Sequence, residues 1–445
     1  MEKMLQYVWK HGLYEESGFT TTECIPVVVI DAGIPNADAG PDFFNAKIRI
    51  GNMVWVGNVE IHQRASDWYT HGHHRDKAYD SVVLHVVGVD DSSVRRSNQE
   101  AVLQAVLQIP EKIKENMEWL LSRDTPVPCA GHLCRIQSVY LSDWTTALVT
   151  ERLERKASDI FVRLEQHTKD WNEIFYITLM RNFGFGTNSD AFEWLAGSLP
   201  YKYILKHRHN PLQVEALLFG QAGLLEADGS TEPVARGNIR HPADKNDSQT
   251  QSLSGDPYYL SLCREYGFLR KKYSLKPLEG FLFKKLRTRP VNFPHIRIAQ
   301  AAAMWISRDV LFSEILETEE PARIRSFFNV LPSVYWDTHY HFGLTSSFRK
   351  KTIGKNAVDT LLINTVVPVL FAYGKQKNRP DCCERALKFL EALPPERNHM
   401  VTVFEKAGVT VKNAGDSQAF IQLRREYCDR KKCLYCRIGL QVIDN

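Results

Sequence analysis

The sequence has no apolar run approaching the roughly 20 residues that a membrane-spanning helix needs, so no membrane role is expected. Its start, MEKMLQYVWKHGLY, carries neither the apolar segment nor the cleavage site of a secretory signal, and a cytoplasmic protein is expected. It has no internal repeat and no long low-complexity tract. With 44% hydrophobic and 24% charged residues, it is not a collagen, a mainly disordered chain or a small disulfide scaffold. An excess of one charge is also missing: 56 Lys and Arg stand against 52 Asp and Glu, a net +4. That balance neither demands nor excludes nucleic acid, and only the distribution of charge bears on it. What is there includes nine cysteines, an odd count. In a reducing compartment these are thiols or metal ligands rather than disulfides.

Three regions differ in texture across the 445 residues. Residues 1–125 mix strand and helix signals. An amphipathic helix over 3–13 carries Leu5, Val8, Trp9 and Leu13 on one side. Strands are expected over 25–30, 47–50, 53–62, 81–88 and 101–109, with Gly51-Asn52 as a hairpin turn. Pro110 then opens a helix. Residues 126–345 read as a helical domain interrupted at 226–257 by a Gly-, Pro-, Asp- and Ser-rich stretch, expected to be a mobile loop. Residues 346–445 read as a helical region ending in a basic, cysteine-bearing tail. The fold class is α+β: an N-terminal mixed α/β nuclease-like domain followed by a mainly α-helical body.

The stretch richest in chemistry is Pro41-Asp42-Phe43 followed by Val59-Glu60-Ile61-His62-Gln63. On a strand, side chains alternate, so Glu60 and His62 share one face and Val59 and Ile61 the other. Val59 and Ile61 suit a core, so Glu60 and His62 are expected to point away from it. The Gly51-Asn52 turn brings Asp42, at the start of one strand, near the end of the next. Asp42 and Glu60 then converge on one divalent ion, and hard oxygen ligands suit Mg²⁺ or Mn²⁺. Such an ion polarises a phosphodiester and activates water. The plainer alternative is that Asp42 shapes a turn and Glu60 is a solvated strand residue.

This arrangement resembles the PD-(D/E)xK nuclease superfamily, in which a Pro-Asp motif precedes a hairpin and a Glu-x-Lys motif sits on its second strand. The matching residues are Pro41-Asp42 and Glu60-Ile61-His62, and Gln63 follows as a Gln does in some members. The departure is His62 in place of Lys, which supplies no fixed positive charge near neutral pH. At whole-chain level the sequence resembles the bacterial DUF2851 family. The stretches that carry this are GPDFFNAKIRIG, WVGNVEIH, SDWYTHGHHRD, YDSVVLHVV, RPVNFPHIRIAQ and CLYCRIG. That second resemblance implies no reaction.

Three further features carry candidate chemistry. The segment from Ser66 to Asp76 holds His71, His73, His74 and Arg75, which suit phosphate oxygens, with His74 or Asp76 as helpers to the metal. The alternative is ordinary helix neighbours. His85, inside an apolar strand, reads as a satisfied core histidine. In the tail, Cys428, Cys433 and Cys436 form a C-x4-C-x2-C pattern that suits Zn²⁺, the alternative being three reduced structural thiols that pack the C-terminus. The fourth ligand is open among Cys129, His132, Cys134, Cys382 and Cys383. An iron–sulfur cluster shares this spacing with plant-type ferredoxins, but the rest of that pattern is missing. Arg424, Arg425, Arg430, Lys431, Lys432 and Arg437 surround these cysteines and are expected to lower their pKa values. Other basic clusters lie at 270–272, 284–289 and 349–351, with Tyr273 and Phe283 placed to stack on bases. The alternative there is solvated helix faces. Asn182 to Asn188 reads as a joint between helices, Glu215 as the partner of an Arg, and the aromatic run from Trp336 as core packing.

The expected function is a metal-dependent nuclease-like protein with DNA or RNA as partner. Asp42, Glu60 and His62 are its catalytic residues, and Gln63, His71, His73, His74 and Arg75 bind substrate. The alternatives are a non-catalytic nucleic-acid-binding or assembly protein and a small-molecule phosphoesterase.

Overall fold

A computed structural model describes residues 2–14, 19–36, 39–166, 170–225, 255–286, 288–308 and 311–444. The expected mobile loop, apart from its last residues, lies outside the described residues, as do Asp38 and Arg287. The chain divides into two compact units. The first comprises Met1–Trp144, Lys406–Val409 and Leu423–Asn445, and the second Thr145–Glu405 and Thr410–Gln422. The C-terminal tail therefore belongs with the N-terminal unit, which differs from three consecutive regions. Texture along a chain does not report which distant segments pack together.

In the first unit, helix α1 (Glu2–His11) buries Met4, Leu5, Tyr7, Val8 and Trp9. It packs on the sheet built from β1 (Val27–Asp31), β2 (Ile34–Pro35), β3 (Phe43–Ile50), β4 (Met53–Arg64), β5 (Val82–Val89) and β6 (Gln104–Val106). The order is β1-β3-β4-β5-β6, with β2 also paired to β3. The pairs β1–β3 and β3–β4 are antiparallel, and β4–β5 and β5–β6 are parallel. Gly51, at φ 58°, takes the first turn position between β3 and β4, where a two-residue hairpin turn favours glycine.

A bulge in this hairpin sets the register at the site. From Ala46↔Gly57 to Ile50↔Met53 the pairing is regular, but the next pair is Phe43↔Val59. Phe44 and Asn45 on β3 thus face Asn58 alone. Asn45 adopts φ 55°, a left-handed conformation that Asn tolerates, and its N–H donates to Asn58 Oδ1. The slip of one residue brings Asp42 opposite Glu60. Without it, Asp42 would face Ile61.

Parallel strands cannot be joined by a tight turn, so the chain crosses from β4 to β5 over the sheet. The crossover contains α2 (Asp67–Thr70) and two single turns, His73–Arg75 and Lys77–Ser81. Trp68 anchors it in a cluster with Tyr79, Val82, Val94 and Val102, and its indole N–H donates to the Arg95 carbonyl. Helix α3 (Glu111–Ser122) follows β6, with Pro110 just before its first turn.

The second unit is mainly helical. Its expected helices appear at Trp171–Phe183, Ser189–Ser198, Pro211–Gln221, Pro257–Tyr273, Pro294–Ser307 and Pro380–Ala392. A small hairpin pairs β7 (His339–His341) with β8 (Leu344–Thr345). Among the described residues, one helical span, Lys355–Gln376, is long and apolar enough to cross a membrane, contrary to the expectation of no such run. It is 78% buried inside the fold over that window, as a core helix is.

Candidate functional site

The structure brings Asp42, Glu60 and His62 together. The Asp42 N–H donates to Glu60 Oε2 at 3.0 Å, and Glu60 Oε1 lies 3.4 Å from His62 Nε2. In return, the Ile61 N–H donates to Asp42 Oδ2 at 3.0 Å, and Gln6 on α1 donates to Asp42 Oδ1 at 2.9 Å. Each carboxylate is thus clamped by the backbone of the other's strand. Glu60 is 5% exposed and His62 1%, so neither points to solvent as expected. The crossover covers the face of β4 that alternation alone would leave open.

That crossover delivers the histidines. Gly72, at φ 80°, turns the chain between α2 and the next turn. His73 Nε2 then reaches Glu60 Oε1 at 3.2 Å, and its ring stacks on Tyr79 with centroids 3.7 Å apart. His71 Nδ1 stands 3.1 Å from His62 Nε2. One ligand nitrogen from each of His62, His71 and His73 lies within 4.8 Å of the others. His62 Nδ1 faces the other way, 2.8 Å from His85 Nε2. His85 is fully buried, but it is not the satisfied core histidine expected, because its Nδ1 has no hydrogen-bond partner among the described residues.

Electrostatics follow from this packing. Burial, reinforced by His85, His73 and His71, holds His62 neutral with its pKa down to about 2. Burial and then His73 bring His85 down to about 3. A neutral imidazole is the form that ligates a metal. His62 therefore does not replace the positive charge of a lysine here. Its Nε2 faces Glu60, and Nδ1 can donate to His85, the outer partner that fixes a ligating tautomer. Burial, and after it the charge of Glu60, pushes Asp42 up to about 7. Burial and the Glu60 charge also raise Tyr79 to about 12, so its hydroxyl keeps its proton.

The other expected substrate-binding residues stand apart. Gln63 is exposed and by alternation lies on the opposite face of β4 from Glu60 and His62. Arg75 is exposed, and the half-buried His74 packs on Tyr69 with centroids 5.1 Å apart. Sequence reasoning missed Gln6, Tyr79 and His85. Only the segment YDSVVLHVV hinted at the last two, by placing a tyrosine and a histidine around an otherwise apolar strand.

In the tail, Cys129, Cys428, Cys433 and Cys436 line one apolar cavity. Burial pushes Cys436 up to about 11 and Cys129 up to about 12. This reverses the expected lowering, because burial outweighs the nearby charges of Arg424 and Lys431, which still favour the thiolates of Cys428 and Cys433. Arg424 pairs with Asp429, Arg430 with Glu426 and Arg437 with Asp143.

In the second unit, Phe283 is buried against Phe192, and Tyr273 stacks on Tyr203 and meets His207, so neither is presented to bases. Lys351 is buried, with Nζ donating to the carbonyls of Asp337 and Arg349. Among the described residues, Glu215 accepts from the Tyr258 hydroxyl at 2.8 Å rather than from an arginine. Trp336 is core, as expected. The joint from Asn182 to Asn188 lines a cleft of about 410 Å³ with Thr288, Arg289 and Arg297. Arg297 is 8% exposed and lies over the Phe185 ring. Its guanidinium donates to Gln300 and Asn292, both neutral.

The chain belongs to the family described as Protein of unknown function (DUF2851), whose model matches residues 2–399. No curated protein and no solved structure matches it.

Proposed function

We propose that this DUF2851 chain is a metal-dependent phosphodiester hydrolase of nuclease-like character, with nucleic acid as its substrate. The observation that carries this reading is the sharing of Glu60 Oε1 by His62 Nε2 and His73 Nε2, with His71 beside them. Three imidazoles and a carboxylate suit Mn²⁺ or Zn²⁺ better than Mg²⁺, which prefers oxygen. A divalent ion held there supplies Lewis-acid polarisation of a phosphoryl oxygen and a more acidic water. Glu60, His62, His71 and His73 hold it, while His85 orients His62. Asp42, whose carboxyl is pushed up to about 7 by burial and the Glu60 charge in the metal-free site, is placed beside Glu60 to take a proton from water or return it to a leaving oxygen. The position of Pro41-Asp42 just before β3, with Glu60-Ile61-His62 on β4, supports the nuclease-like assignment.

Support for a phosphate-bearing partner comes from the cleft of the second unit. Among the described residues the hydrogen-bond partners of the buried Arg297 guanidinium are neutral and leave its charge uncompensated, and Arg289 adds a second cation on the same wall. Phosphate oxygens complement such a cleft.

A second reading, a small-molecule phosphoesterase, is favoured by the burial of Glu60, His62 and His73, which leaves the exposed His71 as the way in. One experiment separates the readings. Purified protein is assayed with Mn²⁺, Zn²⁺ and Mg²⁺ on single- and double-stranded DNA, on RNA and on a chromogenic phosphodiester. Cleavage of polymer that Glu60→Gln and His73→Ala abolish is the expected result. Hydrolysis of the small ester alone supports the second reading. No hydrolysis with any metal overturns both, and salt-sensitive binding that survives Glu60→Gln would leave a nucleic-acid-binding protein without chemistry.

A further inference from the structure

The four cysteines of the first unit come from places far apart in sequence. Cys129 follows α3, and Cys428 ends the helical segment Leu423–Cys428. Cys433 opens a single turn, and Cys436 immediately precedes the final helix, Arg437–Asp444. Leu120, Leu423 and Ile438 complete the walls of their shared cavity. Cys134 and Cys24 are exposed and are not among its lining residues. Of the open candidates for a fourth ligand, the fold brings Cys129 to the other three.

Three details bear on what the cavity holds. The N–H groups of Ile438 and Gly439, in the first turn of the final helix, donate to the Cys436 sulfur, as is suited to a thiolate. Gly439 is required there, because a Cβ would stand 2.1 Å from the Cys433 carbonyl oxygen. Beside Cys433 and Cys436 lies the hydroxyl of Tyr7 on α1, buried and with no hydrogen-bond partner among the described residues. An unpaired buried donor is costly, and an anionic sulfur centre would satisfy it.

Spacing distinguishes the kind of centre. A tetrahedral zinc with bonds of ~2.3 Å needs its sulfurs about 3.8 Å apart. Among the described residues, the three ligand atoms gathered within 4.8 Å of one another are those of His62, His71 and His73, and no three cysteine sulfurs are so gathered. A cubane cluster binds each cysteine through a different iron and takes sulfurs standing further apart.

We infer that Cys129, Cys428, Cys433 and Cys436 ligate an iron–sulfur cluster of the four-iron type, which ties the C-terminal tail to the N-terminal unit. Each new Fe–S bond replaces the iron's bond to a thiolate of the carrier that delivers the cluster, and the proton lost by the cysteine thiol passes to that departing thiolate. The iron and sulfide arrive as an assembled cluster, so the step needs no electron. The cluster also lies against α1: Tyr7 faces it while the adjacent Gln6 holds Asp42. It thereby steadies one wall of the candidate metal site.

The test is anaerobic purification of the full chain, followed by iron, zinc and acid-labile sulfide analysis and visible absorption. About four iron and four sulfide per chain, lost in Cys129→Ser and Cys436→Ser and retained in Cys134→Ser, are expected, and about two of each overturns the four-iron assignment. One zinc per chain without sulfide, no metal at all, or full iron retention in Cys129→Ser overturns the inference. Because a cysteine variant can fail to fold, Tyr7→Phe provides a second readout on a complete ligand set. Loss of a hydrogen bond to a cluster sulfur should shift the reduction midpoint to a lower potential. An unchanged midpoint would overturn the placement of Tyr7 at the cluster.

Discussion

Asp42 makes stability depend on pH in an unusual direction. In the metal-free protein its pKa rises from 3.8 to about 7, first through burial and then through the charge of Glu60. Between these values the folded chain holds a proton that the unfolded chain has released, so raising the pH removes stability. The loss is about 1.4 kcal/mol per pH unit, hence roughly 3 kcal/mol between pH 5 and pH 7, and it levels off above pH 7. Asp42→Asn removes this titration. It also disturbs the acceptor positions used by Gln6 and Ile61, but that cost does not vary with pH. The slope of the difference between wild type and variant is therefore the readout, not its offset. Chemical denaturation in a chelator from pH 5 to pH 8, followed through exchange of the Ile61 amide, measures it within the first unit. Wild type should lose ground to Asp42→Asn as the pH rises to about 7, and saturating Mn²⁺ should flatten the trend by neutralising Glu60. A difference that stays constant across this range would refute the raised pKa and, with it, the burial and the nearby Glu60 charge as its causes.

Further outcomes follow from the same packing. Mn²⁺ or Zn²⁺ at a hundredfold excess over its Kd should stabilise the first unit by about 2.7 kcal/mol in a denaturant titration, and His73→Ala should abolish the gain. His85→Leu should weaken binding of that ion by about 10- to 100-fold in calorimetry, because His62 loses the partner of its Nδ1. Trp68→Ala should cost about 3–5 kcal/mol, since the indole is fully buried under the crossover that carries His71 and His73. Asn45→Val should cost roughly 1–2 kcal/mol through its left-handed backbone, whereas Asn45→Gly should be tolerated, as thermal unfolding would report.

The hairpin was legible because its signals are local. Gly51-Asn52 marks the turn, and the alternation of Val59 and Ile61 with Glu60 and His62 marks the strand. The helices of the second unit were legible for the same reason. Burial on both faces of β4 was not, because it depends on where the crossover returns. His85 illustrates the limit: in sequence it is one polar residue in an apolar strand, and only the parallel pairing Glu60↔His85 sets it beside the site. Phe283 and Tyr273 illustrate the reverse, since aromatic residues next to lysines look available for stacking until the fold buries or engages them.

What the sequence by itself determined is the kinds of donors present and the local elements that carry them: a Pro-Asp before a strand, a Glu-x-His within one, a histidine run after it and three cysteines near the end. Tertiary structure decided which donors meet. The bulge at Asn45 moves Asp42 opposite Glu60, the crossover lays His71 and His73 on Glu60 and His62, and the returning tail carries three cysteines to Cys129. The physical reason is range. Turns and periodicity act over a few residues, whereas register, burial and convergence depend on contacts between segments up to hundreds of residues apart.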